Sequence, residues 1–195
     1  IFDGNGNTLE IAGKDSGDKA LNLDGEISGT DTDFDIRTAS ACDLDLQCTG
    51  EIRNLIINDA SCVATLVKPV TLSGGLTITA GTLDTGADHA LTVDGTTQVT
   101  GTLTCNGSTI SLGTGLTSGW GLDIQSGGTF TGGTGTHTIG SIFAASAGTR
   151  TITLSSGDTT IDSKNTGNGY TINLASGTTF NHGSGTVTMT YAGNT

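Results

Sequence analysis

The chain has 195 residues and a mass of 19.4 kDa; 32 residues are Gly, 38 are Thr and only one is Pro. Its net charge of −12 disfavours a nucleic-acid partner, whose phosphates attract Lys and Arg, and equally an anionic membrane surface. No apolar run reaches the ~18 residues that would indicate a transmembrane segment. Leu, Ile and Val recur regularly among the small residues, which predicts a folded chain of short strands and tight turns rather than a disordered one.

Charge divides the chain near its only proline, Pro69. Residues 1–70 hold 13 of the 19 acidic residues, and the remainder of the chain is sparsely charged. Because Pro cannot donate to a sheet ladder, it marks a strand start or edge. We predict a more charged N-terminal β region over 1–69 and a repetitive β region over 70–195 that shares its core. The missing leader and the strand-like last residues lead us to expect a processed product or a portion of something longer.

The N-terminal region contains several short segments with alternating apolar residues. Residues 42–48 predict a strand in which Cys42 and Cys48 face the core while Asp43, Asp45 and Gln47 face outward. Residues 52–58 are more continuously apolar, as in a strand buried on both faces. No helical spacing persists, so the fold is predicted to be nearly all β. The other strand candidates are Leu9-Glu-Ile11, Leu21-Asn-Leu23 and Phe34-Asp-Ile36.

Four cysteines lie at 42, 48, 62 and 105, without CxxC or zinc-finger spacing. Six extended residues would separate Cys42 from Cys48 by ~20 Å, which is beyond disulfide reach. We expect buried free thiols. The alternative is a disulfide that involves Cys42, Cys48 or Cys62.

Beyond residue 70 an apolar-x-apolar unit followed by Gly recurs. Its first positions are Leu76, Leu91, Leu122, Ile152 and Ile172, with Val187 as a sixth. The irregular intervals between these positions predict ~15 residues per hairpin or half-turn and ~20–30 residues per coil of a parallel β-helix, or β-solenoid. A β-sandwich or jelly roll is the runner-up, since Asp94-Gly95 and Asn106-Gly107 suit its hairpins; in a solenoid they become corners.

The repetitive region also resembles known proteins. The segments LTITAGTLDTG (76–86), LTVDGTTQVTGTLTCNGSTISLG (91–113) and TTFNHGSGTVTMTYAGN (178–194) are similar to the Thr/Gly β-repeats of phage tail and virion-appendage proteins, and to bacterial adhesins of the filamentous-haemagglutinin type. The resemblance implies a parallel β-helix on a virion surface or in an extracellular setting.

Two constellations bear on metal binding. Alternating carboxylates at Asp31, Asp33 and Asp35, followed by Asp43 and Asp45, could hold Ca²⁺ through oxygen ligands, but the EF-hand pattern is absent; a solvated acidic strand edge is the preferred interpretation. Residues 132–139 are similar to the calcium-binding nonapeptide repeat, except that His137 occupies the place of its Asp. A Gly-rich turn that enters a strand over 136–139 is the preferred interpretation there.

Carbohydrate chemistry is the remaining candidate. Asp84, Asp88, Asp94 and Asp123 are scattered, and Trp120 could stack on a sugar or serve in packing. We predict no catalytic, cofactor or metal site. The expected function is a non-enzymatic β-solenoid module of a virion appendage or surface fibre, assembled as a homo-oligomer (a trimer is favoured) beside other structural subunits, with a host-surface glycan as a possible ligand. The alternatives are a polysaccharide-binding or depolymerising enzyme and a bacterial adhesin fragment.

Overall fold

A computed structural model describes residues 2–3, 7–14, 19–22, 27–28, 32–46, 51–144, 147–163 and 171–191 of the protein. These residues form strands joined by turns and bends, without a helix. The strands are β1 Phe2–Asp3, β2 Thr8–Ile11, β3 Lys19–Asn22, β4 Ile27–Ser28, β5 Thr32–Ile36, β6 Ala41–Asp45, β7 Ile52–Leu66, β8 Val70–Leu72, β9 Leu76–Asp84, β10 Leu91–Val93, β11 Thr97–Val99, β12 Thr102–Thr104, β13 Ile110–Leu112, β14 Leu122–Ile124, β15 Thr129–Thr131, β16 His137–Ile139, β17 Ile142–Ala144, β18 Arg150–Thr153, β19 Thr159–Ser163, β20 Ile172–Leu174, β21 Thr178–Asn181 and β22 Val187–Tyr191.

Within the described residues every strand pair is parallel, and all pairs except the short β1–β4 pair group into three ladders. Ladder 1 is the series β2, β5, β7, β9, β11, β14, β17 and β20. Ladder 2 is the series β3, β6, β7, β9, β12, β15, β18 and β21. Ladder 3 is the series β7, β8, β10, β13, β16, β19 and β22. The fold is therefore a parallel β-solenoid with three walls, as the sequence predicted, and not a sandwich.

The coils differ in length. Leu91 is the register partner of Ile110, whereas Ile142 is the register partner of the more distant Ile172. Both separations agree with the predicted ~20–30 residues per coil. Within the described residues ladders 1 and 2 each stack eight strand segments, and ladder 3 stacks seven. The predicted half-turn of ~15 residues is wrong, because the apolar-x-apolar units lie on different walls: Leu76 is on ladder 1, Leu91 on ladder 3 and Ile152 on ladder 2.

A continuous apolar column fills the interior. Within a three-residue strand the first and third side chains of ladders 1 and 3, and the middle side chain of ladder 2, point inward because side chains alternate along a strand. The inward residues Leu83, Leu103, Phe130 and Ile152 of ladder 2 are fully buried and stack on one another from coil to coil.

The prediction that residues 52–58 are buried on both faces is wrong. Leu55 and Ile57 are buried, but Ile56 is only half-buried and lies in register between Asp35 and Thr77 on the outside of ladder 1. A solenoid wall has one solvent-facing side, so an apolar residue there is only partly covered by its neighbours in the coils above and below.

The predicted corners are confirmed. Asp94 and Gly95 form the bend between β10 and β11, and Asn106 and Gly107 form the turn between β12 and β13. Asn106 has a φ of 47°, a left-handed conformation that Asn tolerates better than most residues. The Asn106 side chain donates to Asp84 Oδ1 at 2.6 Å, which ties this turn to the preceding coil.

Ladder pairing crosses Pro69: β7 pairs with β8 and β9, so the strands on either side of the proline belong to the same ladders. The division into residues 1–69 and 70–195 stays a prediction. At the other end, inward positions of the last coil are open: Met189 is 63% exposed, and Leu174 and Phe180 are each 37% exposed. In the described part of the chain no helix is long and apolar enough to cross a membrane.

We predict that Leu103→Ala lowers the free energy of unfolding by about 2–5 kcal/mol, because Leu103 is fully buried between Leu83 and Phe130 and the cavity cannot close without moving both neighbouring coils. Thr102→Ala, one residue away on the outer side, should change it by no more than about 0.5 kcal/mol. Chemical denaturation measures both, and equal losses would contradict this assignment of inside and outside.

Candidate functional site

The acidic cluster predicted near residue 33 is part of the coil-to-coil framework. Asp33 Oδ1 accepts hydrogen bonds from Arg53 Nε and Asn54 Nδ2, both at 2.9 Å, and Oδ2 accepts from Arg53 Nη2 at 2.7 Å. Asn54 Oδ1 in turn accepts from the Gly75 amide of the next coil at 2.6 Å. The hydrogen bonds from Arg53 hold the pKa of the Asp33 carboxyl below its usual range. Three successive coils are thus connected by one polar network.

The other carboxylates of that cluster do not converge on a common point. Asp35 is only 4% exposed and pairs with Arg37 Nη2 at 2.8 Å. Asp45 is also 4% exposed, so it is not solvated as the acidic strand-edge interpretation expected. The strand-edge interpretation is wrong as well, because β5 and β6 each pair on both sides. Asp31 lies outside the described residues.

Within the described ranges no three His, Cys, Asp or Glu side chains come together as a metal-binding group. His137, the residue in the place of the nonapeptide Asp, is fully buried in the interior column of ladder 3 between Ile110 and Thr159. Its ring meets the Phe130 ring edge-on at a centroid distance of 6.0 Å. The predicted Gly-rich turn before the strand is confirmed, with the strand itself at His137–Ile139.

Three of the four cysteines are described, and Cys42, Cys62 and Cys105 are buried free thiols, as predicted. Cys48 lies outside the described residues. A hydrogen bond between the thiols of Cys42 and Cys62 lowers the pKa of Cys42 and raises that of Cys62. Burial raises the pKa of the Cys105 thiol, which keeps it protonated and unreactive at neutral pH.

The predicted carbohydrate residues separate into two groups. The first group, Asp84 and Asp88, stabilises turns. Asp84 accepts a hydrogen bond from the Gly86 amide, and Asp88 accepts one from the Gly107 amide of the next coil, both at 2.7 Å. Asp94 is exposed on the bend after β10. None of these three is a register partner of Asp123, whose register partners are Gln98 and Phe143.

Asp123 belongs to a different arrangement, an aromatic platform on the outer side of ladder 1. Asp123 is the register partner of Phe143, and the Trp120 ring stacks on the Phe143 ring with centroids 4.5 Å apart and planes inclined by 20°. Gln98 and Gln125 donate to the two Asp123 carboxylate oxygens, at 3.4 and 2.7 Å. Burial raises the pKa of Asp123 although both amides act in the opposite direction. An aromatic face beside hydrogen-bonding side chains is an arrangement that sugar rings bind.

A groove of about 160 Å³ lies at the corner where ladder 1 turns into ladder 2. Gly127 and Gly177 line it at corresponding turns. Arg150 lines it and is almost fully buried; its Nη1 donates to the Ala144 carbonyl at 2.7 Å and to Thr178 Oγ1 at 3.2 Å. Sequence reasoning missed Arg150, since an inward-facing Arg in a strand breaks the apolar alternation.

No protein-family model matches the chain, and no curated protein or solved structure is significantly similar to it. The stacked parallel coils agree with the repetitive β-helix that the resemblance to appendage and adhesin repeats implied.

We predict that His137 makes the fold less stable in acid. Burial lowers its pKa from 6.5 to about 4, against a smaller opposing effect of the Gly132 backbone. Between these values the unfolded chain binds a proton that the folded chain does not. Stability is therefore full above pH 6.5 and falls as the pH drops towards 4, by up to about 3 kcal/mol.

His137→Val should flatten that part of the pH profile of unfolding free energy, because Val suits the apolar column and does not titrate. His182→Gln, at an exposed position, is the matched control and should leave the profile unchanged. Identical slopes for the wild type and His137→Val between pH 6.5 and 4 would show that the buried imidazole is not the group responsible.

Proposed function

We propose that the protein is a non-enzymatic structural module: a β-solenoid segment of a virion appendage or of an extracellular surface fibre. The observation that carries this proposal is the set of three in-register ladders that stack coil upon coil over a continuous apolar column. Such a stack is stiff along its axis, because each coil is hydrogen-bonded to the next at three walls. Polar side chains add further ties between coils, as Asp33, Arg53 and Asn54 do.

The open last coil supports self-association. Met189, Phe180 and Leu174 continue the interior columns of ladders 3, 2 and 1, yet each is exposed. Solenoids cover such an end with further coils, a cap or a partner, since an exposed apolar layer beside free strand edges invites association. We propose a homo-oligomer, with a trimer as the favoured form, set among neighbouring structural subunits and displayed for host attachment. A bacterial adhesin fragment would use the same architecture.

Light scattering on the purified chain tests this assembly. We expect a mass well above 19.4 kDa, and a shift towards the monomer in Met189→Glu, because the new carboxylate would have to be buried without a partner. Val63→Glu is the control: Val63 is 41% exposed on the wall of β7, away from the open coil. A wild type that stays monomeric, with no neighbour in images of the assembled particle, would rule out the proposed association.

The second candidate is a polysaccharide-binding module, in its catalytic form a depolymerising enzyme. The observation that favours it is the platform of Trp120 and Phe143 beside Asp123, whose raised pKa is a property of acid catalysts. A raised pKa is also what partial burial alone produces, and the platform supplies one carboxylate where glycoside hydrolysis ordinarily uses two. Binding is therefore the stronger part of this candidate.

Retention on immobilised capsular polysaccharide tests whether the platform binds glycans, and release of reducing ends tests whether it also cleaves them. If the platform binds glycans, Trp120→Ala should abolish retention, whereas Phe180→Ala, which removes an exposed aromatic ring from another wall, should not. If it also cleaves them, the wild type should release reducing ends and Asp123→Asn should not. Equal retention of Trp120→Ala and the wild type would exclude the platform as the binding site.

A further inference from the structure

The outer side of ladder 2 carries a regular array of threonines. β12, β15 and β18 contain the triplets Thr-Leu-Thr, Thr-Phe-Thr and Thr-Ile-Thr, in which the middle residue is buried. Register pairing aligns the outer residues in two columns, which we call the threonine array: the first is Thr102, Thr129 and Thr151, and the second is Thr104, Thr131 and Thr153.

The spacing of the array is set by the backbone. Neighbouring coils are ~4.8 Å apart, and two residues along one strand span ~6.6 Å. The array is therefore a nearly rectangular grid whose sides are a strand spacing and a two-residue rise. Leu103, Phe130 and Ile152 beneath it are fully buried, so the backbone that sets the grid is held from below. Side-chain motion is also limited, because Thr is β-branched and has few χ1 rotamers.

The hydroxyls of the array are available to an external partner. All six threonines are partly exposed, and among the described residues none of their hydroxyls takes part in a hydrogen bond. Each presents one donor and two acceptor lone pairs beside a methyl group. Elsewhere in the solenoid, hydroxyl side chains bond to polar groups of the neighbouring coil, as Thr190 does with Asp162 and Ser108 does with Thr85.

The array is also uncharged in a chain whose net charge is −12. Along its columns the first carboxylate is Asp84 on the N-terminal side, and the C-terminal side continues with Thr179 and Asn181. A neutral face on an acidic protein suits a neutral partner, because an ionic partner would find no opposite charge to pair with here.

We propose that the threonine array binds ice. On a prism plane of hexagonal ice, water oxygens repeat along two perpendicular directions with periods close to the two spacings of the array. Six fixed hydroxyls can join such a lattice at matching points, while the methyl groups between them favour ordered first-shell water. Neither a dissolved sugar nor a flexible peptide offers a rigid two-dimensional repeat of this kind.

Ladder 3 provides an internal contrast. Its outer positions form one continuous column of small hydroxyl residues, which includes Ser111, Thr138 and Thr160, and only the longer strands β19 and β22 add a second outer position, at Asp162 and Thr190. One column repeats in one direction only, so it lacks the second spacing that a crystal plane requires. The inference is independent of the proposed structural role, since it concerns one wall and not the assembly.

Growth of single ice crystals in a nanolitre osmometer tests the proposal on the purified chain. We expect the wild type to facet ice and to open a gap between the melting and growth temperatures. Thr131→Tyr, which places a bulky ring in the second column, should remove that gap to the level of a non-binding protein. Thr138→Tyr, the same change on the single column of ladder 3, should keep it. Unfolding midpoints establish that both variants are folded.

Three results would overturn the proposal. The first is a wild type that leaves ice growth unchanged, which does not depend on any variant folding. The second is a loss of ice activity in Thr138→Tyr equal to that in folded Thr131→Tyr. The third is co-sedimentation with insoluble cellulose or chitin in the absence of any effect on ice, which would assign the array to a crystalline neutral polysaccharide instead.

Discussion

The structure depends on one constraint: the walls of consecutive coils pair in parallel and in register. This pairing satisfies the backbone N–H and C=O groups of a coil only if the coils above and below present strands at the same place. It also forces the same inward and outward parity at each level of a wall. An interior column of Leu, Ile and Phe and an exterior column of Thr are therefore two consequences of one hydrogen-bonding pattern.

Polar side chains interrupt the apolar interior column at strand ends next to corners. Thr97, His137 and Thr159 each begin a strand and point inward, and the Thr97 and Thr159 hydroxyls are buried without a partner in the described chain. Burying such groups without a hydrogen bond lowers the stability of the fold. The ladder register nevertheless fixes these three positions as inward-facing. The column tolerates these residues because the large apolar side chains around them, Phe130 among them, complete the packing.

Sequence reasoning could find the strands but not the walls. The period-2 alternation of Leu91-Thr-Val93 or Leu122-Asp-Ile124 is visible in the chain, and both became strands. Their assignment to ladders 3 and 1 was hidden, because a three-residue strand has the same inward-outward-inward pattern on either wall. Because the coils differ in length, units that lie on different walls were counted as one series. Their spacing suggested a half-turn repeat that no single wall follows.

The candidate sites were predictable to different degrees, because the sequence shows the pattern along one strand but not which residues of neighbouring coils are in register. The sequence shows Asp33 as one of a series of alternating carboxylates, but its partner Arg53 lies in the next coil, and only the register reveals the pair. The threonine triplets had a signal in the sequence, since three Thr-apolar-Thr units recur in β12, β15 and β18. Their alignment into columns required the observation that all three lie on one wall.

The three walls share a backbone and a core, but their outer residues differ from one wall to the next. Ladder 1 presents Gln98, Asp123 and Phe143 in one outer column, whereas ladder 2 presents threonines at the same levels. An outer substitution leaves the interior packing intact, so one wall can change its chemistry without altering the stack or its neighbours. In the functions proposed above, the open last coil acts in assembly and the outer sides of ladders 1 and 2 meet different partners, so each wall would act as a separate unit.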